Sequence, residues 1–251
     1  MKFFVSLLTI VLCITLVGCG DFGDPTISVS GDDITQTNSS DITSSEEEQE
    51  EGDAVFDFNS YELKLVNPWN AIPEGFNPEL ALIKEDYAGF ANAQFDARAI
   101  DQLHAMCDAA KLSNIDLIVI SAYRTNEFQT FNFNRKVQRL MEADSSLTLE
   151  QAEKEAEKVV ARPGTSEHQL GLAVDFNSVE DSFRTTREYS WLVNNCADYG
   201  FILRYTEEFR DKTGIIPEPW HYRYVGVDAA KIIMTEGISF EEFVEQYKPA
   251  E

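Results

Sequence analysis

The feature that most constrains the fold of this chain is a pair of histidine-containing segments that lie far apart in the sequence. The first runs from Ser166 to Asp175 and contains His168, and the second runs from Glu218 to His221. A catalytic zinc ion usually takes three protein ligands from His, Asp, Glu or Cys and leaves one position for water. His168, Asp175 and His221 form such a set, so the fold must bring both segments to one point.

Glu218 supplies the remaining group that a zinc hydrolase needs. It lies three residues before His221 and is left over once the three ligands are assigned. A carboxylate that is not a ligand but stands beside the metal can remove a proton from water and return it to a leaving group. The pattern therefore predicts a mononuclear zinc hydrolase with Glu218 as general base and acid.

Two other candidate ligands are set aside. His104 falls in a predicted amphipathic helix from Asp96 to Ala110, next to the apolar stripe of that helix. A histidine in that setting is more often packed or at the surface than bound to a metal. Glu167 neighbours His168, but its side chain points elsewhere if the segment is extended, so we do not assign it as a ligand.

The N-terminus has the composition of an export signal. One lysine precedes an apolar run from Phe3 to Val17, which is short for a permanent membrane span. The run ends at Gly18-Cys19, in a stretch that resembles a bacterial lipoprotein box. Residues 1–18 are therefore predicted to be a lipoprotein signal peptide, and Cys19 is the predicted lipidation site. The alternative is ordinary secretion without a lipid.

Composition separates a linker from the folded part. Residues 19–54 are rich in Gly, Ser, Thr, Asp and Glu, which predicts a disordered acidic tether. The formal net charge of the whole chain is −24, and this argues against nucleic acid as a partner because phosphate binding needs a positive surface. We expect a monomer that is exported and anchored through Cys19 to the outer face of the bacterial cytoplasmic membrane, next to the cell wall.

Residues 55–251 are long enough to form one domain with a substantial core and no disulfide bonds. Cys107 and Cys196 either pair or stay as buried free thiols. Strands are predicted at 115–121, 171–176, 201–205 and 220–225. Helices are predicted at 96–110, 126–143, 149–160, 187–199, 228–236 and 239–247. Strands that reverse direction over short connections, with helices around them, predict an α+β fold with a mostly antiparallel central sheet.

Three separated motifs resemble a known family. They are Ser121-Ala122-Tyr123-Arg124 with Gln129, then Ser166-x-His168-x-x-Gly171-x-Ala173-x-Asp175, and then Glu218-x-Trp220-His221-x-Arg223. In this order they are similar to the VanY-type D-alanyl-D-alanine carboxypeptidases, zinc peptidases of the bacterial cell wall. The likeness runs from about residue 65 to residue 247, and no ligand position departs from the pattern.

The resemblance implies one zinc ion held by His168, Asp175 and His221, with Glu218 as the catalytic acid and base. Arg124, at the end of a predicted strand, is the candidate cation for either the developing oxyanion or the terminal carboxylate of the substrate. The candidate substrate contacts are Tyr123, Gln129 and Ser166. The expected reaction removes the terminal D-alanine from peptidoglycan stem peptides.

Several alternatives stay open. Gln129 could equally be a solvated helix residue, and Arg124 could form an ordinary ion pair at a helix start. The same zinc site would serve an L,D-carboxypeptidase, a free dipeptidase or a peptidoglycan endopeptidase, because loops set the shape of the pocket. A second class is a cell-wall-binding lipoprotein without catalysis. A third is a serine carboxypeptidase that uses Ser121 or Ser166.

Overall fold

The structure is a computed structural model and describes residues 55–249. Its strands are β1 (Leu80–Leu82), β2 (Gln94–Asp96), β3 (Val119–Ser121), β4 (Ala173–Phe176), β5 (Phe201–Leu203) and β6 (His221–Tyr224). Its α-helices are α1 (Ile100–Leu112), α2 (Asn126–Ala143), α3 (Leu149–Glu157), α4 (Arg187–Asn195), α5 (Arg210–Thr213), α6 (Val227–Glu236) and α7 (Phe240–Tyr247). Short 3-10 helices lie at Glu167–Leu170, Asp181–Thr185 and Cys196–Tyr199.

The central sheet has four strands in the order β3-β4-β6-β5, and every neighbouring pair is antiparallel. β1 and β2 form a separate antiparallel pair. This arrangement confirms the predicted α+β fold with an antiparallel sheet. β4 and β6 occupy the centre of the four strands, and their register places Asp175 opposite His221. The two histidine-containing segments therefore meet because they lead into neighbouring strands.

Capping residues account for the helices that were predicted best. α2 has the predicted bounds, and the Thr125 side chain accepts a hydrogen bond from the backbone N–H of Phe128 at its start. Ser239 caps α7 and forms a capping box with Glu242. Gly200 ends the segment before β5 in a left-handed conformation, which is typical of a C-terminal cap.

Other predicted bounds were wrong at their ends. The helix predicted at 96–110 starts only at Ile100, because Asp96 belongs to β2. The strand predicted at 115–121 shortens to β3, because only its last three residues belong to a strand that pairs with β4. The helix predicted at 187–199 continues as a 3-10 helix after Asn195. α3 ends three residues before its predicted end. β4 starts two residues late, β5 ends two residues early, and β6 is one residue shorter at each end.

Apolar side chains pack in three clusters within residues 55–249. The largest joins α1 to the central sheet, the second packs α6 and α7 against β5, and the third holds α2 against α3. Cys107 and Cys196 are buried free thiols, and burial raises the pKa of each to about 12. None of the helices in this range is long and apolar enough to cross a bilayer.

Gly200 allows a prediction about how tightly β5 and β6 are joined. Its φ angle is +81°, and an added Cβ atom would lie 2.7 Å from Cε2 of Tyr224 and 3.0 Å from the backbone carbon of Gly226. Gly200→Ala should lower the free energy of unfolding by about 2–4 kcal/mol, through backbone strain together with overpacking. Urea denaturation measures this change.

Gly237→Ala is the matched control. Gly237 ends α6 with a φ angle of +64°, but no heavy atom lies within 4 Å of an added Cβ atom. Only backbone strain then remains, and the expected loss is about 1–2 kcal/mol. Equal losses in the two variants would contradict the packing argument for Gly200.

Candidate metal centre and active site

His168, Asp175 and His221 come together in the structure, and all three are buried. One donor atom from each lies within 4.8 Å of the others. Asp175 Oδ1 is 3.4 Å from His168 Nε2 and 3.1 Å from His221 Nδ1. Ligand atoms around a tetrahedral zinc ion lie about 3.3 Å apart when the bonds to zinc are about 2.0–2.1 Å long. The spacing of the three side chains therefore fits a zinc site.

The second ring nitrogen of each histidine has an oxygen partner. His168 Nδ1 donates to the carbonyl oxygen of Ala122 at 2.9 Å, and His221 Nε2 donates to Glu167 Oε2 at 3.1 Å. These hydrogen bonds select the tautomers that leave His168 Nε2 and His221 Nδ1 available to a metal. The ring nitrogens that these hydrogen bonds leave available are thus the ones that lie near Asp175.

Gly171 sets the direction in which the chain leaves His168. It ends the 3-10 helix Glu167–Leu170 with a φ angle of +76°. The strand predicted from residue 171 begins only at Ala173, and Gly171 belongs to a left-handed turn before β4. An added Cβ atom would also lie 3.0 Å from Leu80 Cδ2, so both conformation and packing favour glycine here.

Glu167 stays outside the candidate ligand set, but it has a supporting role that the sequence did not predict. The 3-10 helix turns its side chain into the protein, and the residue is only 2% exposed. Oε1 accepts from Arg204 Nε at 2.9 Å and lies 3.3 Å from Arg223 Nη1. Burial would raise the pKa of Glu167, but the two guanidinium groups hold that pKa well below its usual range. A charged carboxylate therefore supports His221 from behind.

The charges around the three candidate ligands favour a cation between them. Burial lowers the pKa of His221, but hydrogen bonds to Asp175 and Glu167 outweigh burial and raise this pKa to about 9. Burial and the nearby charge of Arg124 lower the pKa of His168 to about 4, so His168 is neutral, as a metal ligand must be. The negative groups that stabilise a proton on His221 would also stabilise a divalent ion bound there.

Glu218 lies in the turn before β6, beside the candidate ligands. Its Oε2 is 3.7 Å from His221 Nδ1, and its side chain is 13% exposed. Burial raises the pKa of Glu218 to about 7, although the charge of His221 opposes the shift. A carboxyl group with a pKa near neutrality can both accept and donate a proton under physiological conditions.

Arg124 is anchored beside Asp175. Its Nη2 lies 3.1 Å from Asp175 Oδ2 and 2.7 Å from Ser121 Oγ. Gln129 is buried, donates to the carbonyl oxygen of Ala161, and accepts from Arg124 Nη1 at 3.4 Å. The alternative of a solvated Gln129 was therefore wrong. Ser121 accepts hydrogen bonds from a cation, which is not the activation by a base that a serine nucleophile needs.

A cleft of about 440 Å³ opens onto these groups. Ser166 and Trp220 line it together with the three candidate ligands, Glu218 and Arg124. Tyr123 does not line this cleft but a neighbouring cavity of about 390 Å³, which Arg124 also borders. Tyr222 is fully buried in the core. Cys19, the predicted lipidation site, lies outside the described residues.

Known proteins with related sequences and structures share this domain. Residues 92–227 match the VanY family, described as D-alanyl-D-alanine carboxypeptidase. A D-alanyl-D-alanine carboxypeptidase of Enterococcus faecalis is 40% identical over 194 residues, which are 76% of this chain and 69% of that protein.

Two solved structures are similar over nearly their whole length. The first is a variant of the vancomycin-resistance D,D-pentapeptidase VanY in complex with Zn(II), from a VanB-type resistance cassette. It is 40% identical, with a TM-score of 0.64 over 74% of this chain and 99% of that chain. The second is VanYB in complex with D-alanine-D-alanine, which is 40% identical with a TM-score of 0.66 over 75% of this chain and 100% of that chain.

Glu167 can be tested as the residue that orients His221. Glu167→Gln keeps the shape of the side chain but removes the charge that faces Arg204 and Arg223 and weakens the hydrogen bond to His221. Zinc affinity should fall by about 10- to 100-fold, the usual loss when the partner of a ligating histidine is changed. Competition with a chromophoric chelator measures the affinity.

Glu207→Gln is the control, because Glu207 is exposed and its ion pair is with Arg210. It should bind zinc as the wild type does. Wild-type affinity in Glu167→Gln would show that His221 is held in place without this carboxylate.

Proposed function

The chain belongs to the VanY family of D-alanyl-D-alanine carboxypeptidases, and from this premise we propose how its residues remove the terminal D-alanine from peptidoglycan stem peptides. It is a zinc carboxypeptidase that uses one zinc ion. One observation carries the proposed roles: His168, Asp175 and His221 are buried with their donor atoms within 4.8 Å, and Glu218 Oε2 is 3.7 Å from His221 Nδ1.

We assign the zinc ligands to His168 Nε2, the carboxylate of Asp175 and His221 Nδ1. Zinc in such a site polarises the scissile carbonyl group and makes water a better nucleophile near neutral pH. The carbonyl oxygen of Ala122 and the carboxylate of Glu167 hold the two imidazole rings in the orientation that this ligand set requires.

Glu218 transfers a proton from the attacking water to the leaving amine. Its carboxylate accepts a proton from the attacking water as the new carbon–oxygen bond forms. It then donates that proton to the amine nitrogen of the departing D-alanine as the peptide carbon–nitrogen bond breaks. The products are free D-alanine and a stem peptide shortened by one residue. Burial, which raises the pKa of Glu218, favours uptake of the proton.

Arg124 binds a negatively charged group of the substrate. Hydrogen bonds to Ser121 and Asp175 and a longer one to Gln129 fix its guanidinium at the edge of the cleft. We assign it either to the developing charge on the carbonyl oxygen or to the terminal carboxylate, both of which match the geometry of a guanidinium. Gln129 acts on the substrate through Arg124. Ser166 contacts the substrate from the cleft wall, and Tyr123 from the adjoining cavity.

Hydrolysis of a synthetic stem pentapeptide that ends in D-Ala-D-Ala tests this proposal. The zinc-loaded wild type should release one D-alanine, and a chelator should stop the reaction until zinc is returned. Glu218→Gln should bind one zinc ion per chain yet lower kcat by about 10²- to 10⁴-fold, because the general base is lost. Mass spectrometry measures the products, and elemental analysis measures the zinc.

Glu208→Gln, a change at an exposed position away from the cleft, should keep wild-type kcat. Turnover of the pentapeptide by Glu218→Gln at the wild-type rate would overturn the mechanism. Cleavage of a stem tetrapeptide with no cleavage of the pentapeptide would indicate L,D-carboxypeptidase activity instead. If the zinc-loaded wild type cleaved neither peptide, a binding role without catalysis would replace the proposal.

We also propose that the enzyme is exported and anchored by a lipid on Cys19 to the outer face of the bacterial cytoplasmic membrane. Support comes from the apolar run of residues 3–17, which ends at Gly18-Cys19. The acidic stretch that follows would act as a tether, with an average reach of at least roughly 30–35 Å. All of these residues lie outside the described part of the chain. A tether of this kind suits an enzyme whose substrate is fixed in the wall.

Cys19→Ser tests the anchor. In a Gram-positive host, the wild-type protein should sediment with membranes and incorporate a labelled fatty acid. Cys19→Ser should lose the label and shift to the soluble or secreted fraction, because the thiol that carries the lipid is gone. Cys13→Ser, a change inside the apolar run, should behave as the wild type does. Unchanged labelling of Cys19→Ser would exclude this lipidation site.

A further inference from the structure

Helix α2 carries a row of polar and cationic side chains along the cleft. Gln129, Asn132, Lys136 and Arg139 follow one another three or four residues apart, so they share one face of the helix. Asn132, Lys136 and Arg139 line the cleft, as does Arg135 beside them. The row begins at the zinc site, because Gln129 contacts Arg124 and Arg124 contacts Asp175. We call Arg135, Lys136 and Arg139 the cationic row.

The cationic row is unusual for so acidic a chain. The sequence has 44 acidic and 20 basic residues, and most of the described cations form an ion pair. Arg162, on the segment that follows α3, pairs with both Glu153 and Glu157. No acidic oxygen of the described residues lies within 4.0 Å of a side-chain nitrogen of the cationic row. Three adjacent cations at a cleft are therefore left for an anion from outside.

Apolar side chains line the cleft as well. Val159, Val160 and Ile216 contribute apolar surface to the lining. Arg135 also lies over the Phe131 ring, with its guanidinium carbon 5.5 Å from the ring centroid, which supports the side chain without neutralising it. An anionic group that enters the cleft is thus attracted toward the cationic row as well as toward Arg124.

The length of the row matches the length of a peptide. At about 1.5 Å per residue along a helix, Arg135 and Arg139 lie roughly 9 Å and 15 Å beyond Gln129. An extended peptide covers about 3.3–3.6 Å per residue, so a peptide that runs along α2 from the level of Gln129 would bring its second to fourth residues beside the row. Only one residue leaves in a carboxypeptidase reaction, and the rest of the substrate must extend out of the cleft.

We infer that the cationic row is a subsite for a carboxylate that the stem peptide carries on the amino-terminal side of the scissile bond. This inference rests on the proposed function, since it assumes a wall peptide as the substrate. In such a peptide, a glutamate joined through its γ-carboxyl group keeps its α-carboxylate free, and amidation removes that charge. Guanidinium and ammonium groups bind a carboxylate with charge-assisted hydrogen bonds and bind a neutral amide less well. The row therefore distinguishes acidic from amidated stems.

Two pentapeptides that differ in one group test the inference. Both end in D-Ala-D-Ala and have a γ-linked D-glutamate as second residue, with its α-carboxyl group either free or amidated. At low salt, the wild type should favour the free carboxylate by about 2- to 5-fold in kcat/KM, the range expected for partly exposed ion pairs. The preference should shrink at high ionic strength, because salt screens exposed charges.

The variant combines Arg135→Gln, Lys136→Gln and Arg139→Gln, and its ratio of kcat/KM values for the two peptides should fall close to one. The control combines Lys154→Gln, Arg187→Gln and Lys231→Gln, which make the same change in net charge outside the cleft and should keep the wild-type ratio.

A wild-type ratio in the cationic-row variant, or a ratio near one in the wild type, would overturn the inference while the carboxypeptidase function stands. An equal loss of activity on both peptides leaves the ratio unchanged and counts against it as well. Failure of the zinc-loaded wild type to cleave either peptide would remove the proposed function and, with it, this inference.

Discussion

Residues that lie opposite each other in an antiparallel pair place their side chains on the same face, and this rule puts Asp175 of β4 beside His221 of β6. β3 adds Ser121 opposite Asp175, and Ser121 in turn holds Arg124. His168 arrives from the turn that leads into β4. A shift of one residue between β4 and β6 would send Asp175 to the other face of the sheet. The zinc site thus depends on one strand register.

A second requirement is that buried charges around the site compensate one another. Isolated ions are costly to bury, but Glu167 pairs with Arg204 and Arg223, and Arg204 pairs further with Glu241. This network holds the ring of His221, whereas Glu218 and Arg124 are placed to act on the substrate. Arg124 does both, because it also pairs with the candidate ligand Asp175.

Local patterns explain what the sequence analysis predicted well. Both ends of α2 depend on residues close together in the chain, and each histidine-containing segment is a short local motif. The supporting role of Glu167 was not predicted because it depends on distant contacts: the 3-10 helix ends at Gly171, and the carboxylate meets Arg204, directly after β5, and Arg223 in β6. Tyr123 lies just beyond the end of β3 and faces the adjoining cavity, which loop residues far away in the sequence complete.

Anomalous diffraction from crystals of the zinc-loaded protein, recorded on both sides of the zinc absorption edge, would locate the metal and its ligands. One strong peak should appear, bonded to His168 Nε2, to a carboxylate oxygen of Asp175 and to His221 Nδ1, with Glu218 nearby but outside the ligand set. A peak at another place, or zinc bound without Asp175 or through His221 Nε2, would contradict the account of how the two histidine-containing segments build the site.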